Sequence, residues 1–74
     1  MKITVKLFAY FRDNRFIRQE WDIEEGTTVR DIVNTLSIDV EEIGVTMINS
    51  RHCTLDQAVA EGNQVAIFPA IGGG

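Results

Sequence analysis

The residues with the clearest chemical potential stand at the end of the sequence, where Pro69-Ala70-Ile71 runs into Gly72-Gly73-Gly74. Glycine has no Cβ, so a glycine segment can enter a channel too narrow for any side chain. The carboxylate it carries is then the reactive group. Fully extended, Pro69 to Gly74 reaches about 20 Å, enough to enter a buried active site in another protein. Two readings fit the glycines by themselves: a tail built for insertion into a partner, or a frayed terminus with no role.

Other reactive side chains are few. Cys53 is the only cysteine and His52 the only histidine. Cys53 can be read as a persulfide or transient disulfide site, but its place in an expected short strand favours a packed thiol. His52 has no second histidine or carboxylate cluster at ligand spacing, so no metal site is expected. One histidine without a base-orienting partner does not define a catalytic triad. Arg12 and Asp13 can form a turn salt bridge or an interface pair, with a solvated turn the simpler reading. The chain also lacks a Gly-rich phosphate loop opening a helix, so nucleotide binding is assigned elsewhere.

Such a tail needs a scaffold, and 74 residues allow one small domain, residues 1–74, with a glycine tail over about 70–74. Hydrophobic residues make up 45% of the chain, which suits a folded globule. Eleven acidic against seven basic residues give a net charge of −4, which argues against a nucleic-acid partner. The lack of a cysteine framework, of a signal-peptide core and of a bilayer-length apolar run leads to the expectation of a cytoplasmic protein with no membrane partner.

Ile3, Val5, Leu7 and Ala9 alternate with Thr4, Lys6, Phe8 and Tyr10, the period-two pattern of a half-buried strand. A polar turn over residues 12–15 leads to a second strand with Ile17, Trp21 and Ile23 on one side and Gln19 as the exception. Thr27 or Thr28 can cap a helix in which Val29, Ile32, Val33 and Leu36 form one apolar face. Strands are expected at Val45–Ile48, His52–Thr54 and Val65–Phe68, with one helical turn over residues 55–60 and turns at 49–51 and 61–63. The order β-β-α-β-β-β in so short a chain predicts an α+β fold of the β-grasp (ubiquitin-like) type, a mixed sheet of about five strands packed on one main helix. Its first and last strands pair in parallel at the centre. Parity then puts Val65 and Ile67 under the helix with Val5 and Leu7, and leaves Ala66 and Phe68 on the opposite face beside Phe8. Exposed there, the two rings read as a docking surface or as ordinary strand aromatics.

Two segments resemble the MoaD/ThiS family of ubiquitin-like sulfur carriers, and the likeness covers nearly the whole chain. Val5–Asp13 is similar to the opening strand and F-A-x-x-R-[ED] segment of molybdopterin synthase small subunits. Glu61–Ile71 with the following glycines is similar to their D-G-D-x-V-A-F-x-P-P-V-x-G-G ending, and is the more specific match. Glu61 and Asn63 replace the usual acidic pair, Ala70 replaces the second proline, and an extra glycine precedes the terminal pair. The segment 38–44 is shorter than in those subunits, which keeps a thiamine-type carrier in view.

The resemblance implies that Gly74 carries the reaction at the tip of the tail Gly72-Gly73-Gly74, with one-residue trimming to Gly73 as the alternative. It implies no intrinsic catalytic residue and no bound cofactor. A ubiquitin-activating-type adenylyltransferase uses ATP and Mg²⁺ to join Gly74 to AMP, and sulfide or a persulfide then displaces AMP to leave a thiocarboxylate. A sulfur-accepting enzyme, such as molybdopterin synthase large subunit, takes the sulfur. Phe8, His52, Phe68, Pro69 and Ile71 are the expected partner-binding residues. Alternatives are a carrier for thiamine thiazole or sulfur amino acids, a ubiquitin-like modifier whose terminus joins lysine, and an interaction module that never uses its tail.

Overall fold

A computed structural model describes residues 1–70. The opening alternation forms strand β1, Lys2–Leu7, with Ile3, Val5 and Leu7 buried. The strand stops before Ala9, which turns into the left-handed region at φ 52 and starts a 3₁₀ turn, Ala9–Arg12. Ala9 therefore leaves the expected alternation and is exposed. The turn drives Phe11 into the core, a burial that strand parity does not reveal. The segment expected as a simple polar turn also ties elements together. Arg15 donates through Nε to the Leu36 carbonyl at 3.2 Å and through Nη1 to the Phe11 carbonyl at 3.2 Å.

Strand β2, Arg18–Asp22, runs antiparallel to β1 with Ile3 opposite Trp21 and Val5 opposite Gln19. Gln19, the polar exception on the inner side, accepts the Trp21 indole N–H at 2.7 Å. Ile17, expected on that side, is instead 62% exposed. The strand begins only at Arg18, so its parity does not extend to Ile17. Phe16 takes the place against the core and meets Trp21 edge-on.

Helix α1, Val29–Thr35, is capped by Thr28, whose hydroxyl accepts the Asp31 N–H while the Asp31 carboxylate accepts the Thr28 N–H. This reciprocal box satisfies two backbone donors that a helix end leaves open. At the far end Ser37 adopts φ 59, Ser37 N–H donates to the Asn34 carbonyl and Ile38 N–H to the Val33 carbonyl. Those two bonds close the last turn in the Schellman pattern. Seven residues are too few for an isolated helix to persist in water, so packing holds it. Val29, Ile32 and Val33 are buried, and Leu36 is partly so.

The segment 55–60 forms no helical turn. It lies along the start of α1, where Val29 N–H donates to the Gln57 carbonyl, Arg30 N–H to the Leu55 carbonyl and Val59 N–H to the Thr27 carbonyl. The open donors at the helix N-terminus recruit these carbonyls, and tertiary hydrogen bonds win over local helical preference. Val59 is buried as a result.

Strand β3, Ile43–Ile48, starts two residues before its expected position, after a 3₁₀ turn at Val40–Glu42. Asn49 and Ser50 both lie in the left-handed region and form a two-residue connection to strand β4, Arg51–His52. Strand β5, Gln64–Pro69, follows a turn in which Gly62 adopts φ +81. The residues that depart from the family ending support this turn. The Glu61 carboxylate accepts the Lys2 N–H at 3.1 and 3.2 Å, and Asn63 Oδ1 accepts the Ala60 N–H at 2.8 Å.

The sheet order is β2-β1-β5-β3-β4, with β1 and β5 parallel at the centre and Val5 opposite Val65, Leu7 opposite Ile67. This is the mixed five-stranded β-grasp sheet with one main helix, and its central residues Val5, Leu7, Val65 and Ile67 are fully enclosed. Among the described residues no helix is long and apolar enough to cross a membrane.

Candidate functional site

The face of the sheet remote from α1 is built by the same parity that fills the core. Phe8 follows the last residue of β1 and Phe68 lies in β5, and their rings stack with centroids 4.0 Å apart and planes 12° from parallel. Ala9 holds Phe8 in place by turning the chain immediately after it. The Arg12 guanidinium lies 5.1 Å from the Phe8 ring centroid, and its Nε donates to the Leu7 carbonyl at 2.7 Å. Arg12 thus folds onto the aromatic pair while staying exposed, as Asp13 does, and it makes no salt bridge with Asp13. A cation over a ring face is held by the ring's quadrupole and remains accessible to a further partner.

Phe8 and Phe68 form one wall of an open depression of about 430 Å³. Ala9 and Pro69 lie at one side, and Val45, Met47 and His52 complete the lining. The register explains this grouping: Val45 opposes Phe68, Met47 opposes Ala66, and His52 opposes Met47 across the β3–β4 hairpin. Three expected partner-binding residues, Phe8, His52 and Phe68, are therefore brought together on one surface, while the fourth, Pro69, borders the depression but is itself buried, on the inward parity of β5. The fifth, Ile71, and the tail residues Gly72, Gly73 and Gly74 lie outside the described residues.

Val45, Met47 and Ala9 belong to this surface without having been singled out as partner-binding residues in the sequence. Both faces of β3 carry apolar side chains, so its local pattern does not separate a core face from an outer one. Only the pairing with β5 assigns Thr46 and Ile48 inward and Val45 and Met47 outward.

Cys53 stands apart from the depression. Its thiol donates to Thr46 Oγ1 at 3.6 Å, and that hydroxyl donates to the Cys53 carbonyl at 2.9 Å. The side chain is half-buried against the core margin, the geometry of a packed thiol. His52 is exposed, and among the described residues no group of three or more histidine, cysteine or acidic side chains is placed to hold a metal ion. The arrangement offers recognition by apolar contact and one poised cation beside the point where Ala70 leads into residues 71–74.

Comparison with solved structures shows the same fold in several proteins. A putative molybdopterin converting factor subunit 1 from Pyrococcus furiosus superposes with a TM-score of 0.78 at 24% identity, over 96% of this chain and 99% of that one. Small archaeal modifier protein 1 from Haloferax volcanii gives 0.75 at 21% identity, over 95% and 98% of the two chains. A chain of the complex between subunits 1 and 2 of molybdopterin-converting factor from Helicobacter pylori gives 0.67 at 14% identity, with both chains fully covered. No curated protein sequence matches the chain. The sequence does match the ThiS family over residues 5–74, a span that includes the Phe8–Phe68 surface and the terminal glycines, and the chain accordingly belongs to the ThiS/MoaD family of small ubiquitin-like sulfur-carrier proteins.

Proposed function

We propose that this protein carries sulfur as a thiocarboxylate on Gly74 and donates it to the dithiolene of molybdopterin. The observation that carries this reading is the family match itself, which runs from the first strand through the terminal glycines. The opening segment Val5–Asp13, with its similarity to molybdopterin synthase small subunits, favours that pathway over thiamine thiazole or sulfur amino-acid synthesis.

A free carboxylate is a poor acyl electrophile. The proposed activation has a Gly74 carboxylate oxygen attack the α-phosphorus of ATP, bound with Mg²⁺ by an adenylyltransferase, and pyrophosphate leaves. Hydrosulfide then attacks the acyl carbon, the C–O bond to AMP breaks, and a C–S bond takes its place. This protein acts as co-substrate, and the half-buried Phe8–Phe68 pair and the depression beside it dock it so that the terminal glycines reach each partner's site. Holding the sulfur nucleophile against its acceptor removes much of the entropic barrier to transfer. The second partner is the large subunit of molybdopterin synthase.

A second reading, a protein modifier joined through Gly74 to lysine, is favoured by the fold shared with the archaeal modifier protein. Intact mass spectrometry after incubation with ATP, Mg²⁺, sulfide and the adenylyltransferase of the same organism separates the two. Exchange of one oxygen for sulfur at Gly74, followed by sulfur transfer to a molybdopterin precursor with the large subunit, is the expected result. Lysine conjugates in place of any thiocarboxylate would support the modifier instead. Deleting Gly73 and Gly74 abolishes both reactions, while the unfolding midpoint stays unchanged because the buried core lies between Ile3 and Ile67.

A further inference from the structure

The root of the glycine segment is held by a backbone contact that only glycine permits. Ile43 opposes Pro69 and Val45 opposes Phe68, so Gly44 is an extra residue in β3 and forms a β-bulge against the end of β5. A Cβ added at Gly44 would lie 2.8 Å from the Pro69 carbonyl oxygen, 2.9 Å from Ala70 Cα and 3.0 Å from Ala70 N. All three are main-chain atoms, so no flexible side chain can yield to relieve the overlap.

The same approach lets the Ala70 N–H donate to the Glu42 carbonyl at 2.8 Å. Glu42 ends the 3₁₀ turn Val40–Glu42, and that turn is fixed by the Asp39 carboxylate, which accepts the Glu41 N–H at 2.9 Å. The bulge also reverses parity, so that Ile43 packs against the core while Val45 lines the outer depression. One glycine therefore links the core, the docking surface and the last residue before the tail. Proline has no N–H to donate, so the Ala70 bond exists only because alanine replaces the second proline of the family ending.

We propose that Gly44 is a positioning residue: its bulge clasps Ala70 and sets the place and direction from which the tail enters a partner docked on the Phe8–Phe68 surface. This inference rests on the carrier reading above and adds to it a determinant of tail delivery. Docking and delivery are then separable, since the clasp lies at Ala70 and the rings lie on the sheet.

The test is Gly44→Ala in the full-length protein, read by amide exchange in NMR and by adenylation kinetics with the adenylyltransferase of the same organism. Ala70 exchange is expected to accelerate about tenfold or more while the Val5 and Val65 amides of the central strands hold within about twofold. Adenylation kcat is expected to fall about tenfold or more, with KM within about twofold, because small misplacement penalises the reacting geometry more than docking. Unchanged Ala70 exchange, or lost protection with wild-type kcat, overturns the proposal. If Gly44→Ala unfolds the domain, Asp39→Ala decides, since it keeps Gly44 and loosens the turn that presents the Glu42 carbonyl. That variant should show the same kcat-specific loss together with faster Ala70 exchange, and wild-type behaviour in either measurement rejects the clasp. A wild-type protein that is not adenylated at all refutes the carrier reading and this inference with it, whereas failure of the clasp alone leaves the wild-type reaction intact.

Discussion

Ile67 and Phe68 are neighbours in β5 whose side chains leave opposite faces of the sheet, so alanine at each position separates the two tasks of the strand. Ile67 is fully enclosed beside Leu7 and the helix face. Its truncation leaves a cavity in a core that holds eleven buried hydrophobic side chains among the described residues, and should cost about 2 to 5 kcal/mol. A single core in a domain of this size supplies only about 3 to 5 kcal/mol in total, so Ile67→Ala should be substantially unfolded at 25 °C even without urea. Phe68 is half-buried on the outer face, and its chief partner is the Phe8 ring. Loss of that stacked pair should cost about 0.5 to 1.5 kcal/mol beyond the lost area, which the domain can survive. Affinity for the adenylyltransferase or the sulfur acceptor should fall by about 1 kcal/mol or more, roughly fivefold in Kd. Urea unfolding measures the first effect and titration calorimetry the second. If Phe68→Ala destabilises as much as Ile67→Ala, or if it binds both partners with wild-type affinity, the assignment of one face to the core and the other to docking is wrong.

Thr28→Ala removes the hydroxyl half of the capping box and should cost about 1 kcal/mol, seen as a midpoint lower by about 4 to 8 °C in a thermal melt. Ile17→Thr should change stability by less than about 0.5 kcal/mol, because Ile17 is a surface residue; a loss above about 2 kcal/mol would put it in the core. Deleting Gly73 and Gly74 should end thiocarboxylate formation in the mass assay without shifting the melt. Gly44→Ala should lower adenylation kcat with little change in KM, as read by initial rates.

Much of the architecture follows from short-range pattern. The alternation Ile3-Val5-Leu7 and the spacing Val29-Ile32-Val33 specify one strand and one helical face because side-chain direction repeats every two residues in one and every 3.6 in the other. With the element order, they suffice for the β-grasp and for the parallel pairing of β1 with β5. Parity within those two strands places Phe8 and Phe68 on one face, and the recurring segments at both ends identify the family.

What local pattern leaves open is decided by contacts between residues far apart in sequence. Ile17 and Phe16 are both apolar, and only the start of β2 at Arg18 selects Phe16 for the core. Residues 55–60 have no strong local preference, so the open N–H groups at the start of α1 take their carbonyls and prevent a helical turn. Val45 and Met47 become part of the docking surface only when β3 finds its register against β5. The bulge at Gly44 leaves no trace in the hydrophobic pattern, because a glycine has no side chain to count. Its meaning is set by the backbone of Pro69 and Ala70, which the fold brings to within 3 Å of where a Cβ at Gly44 would stand.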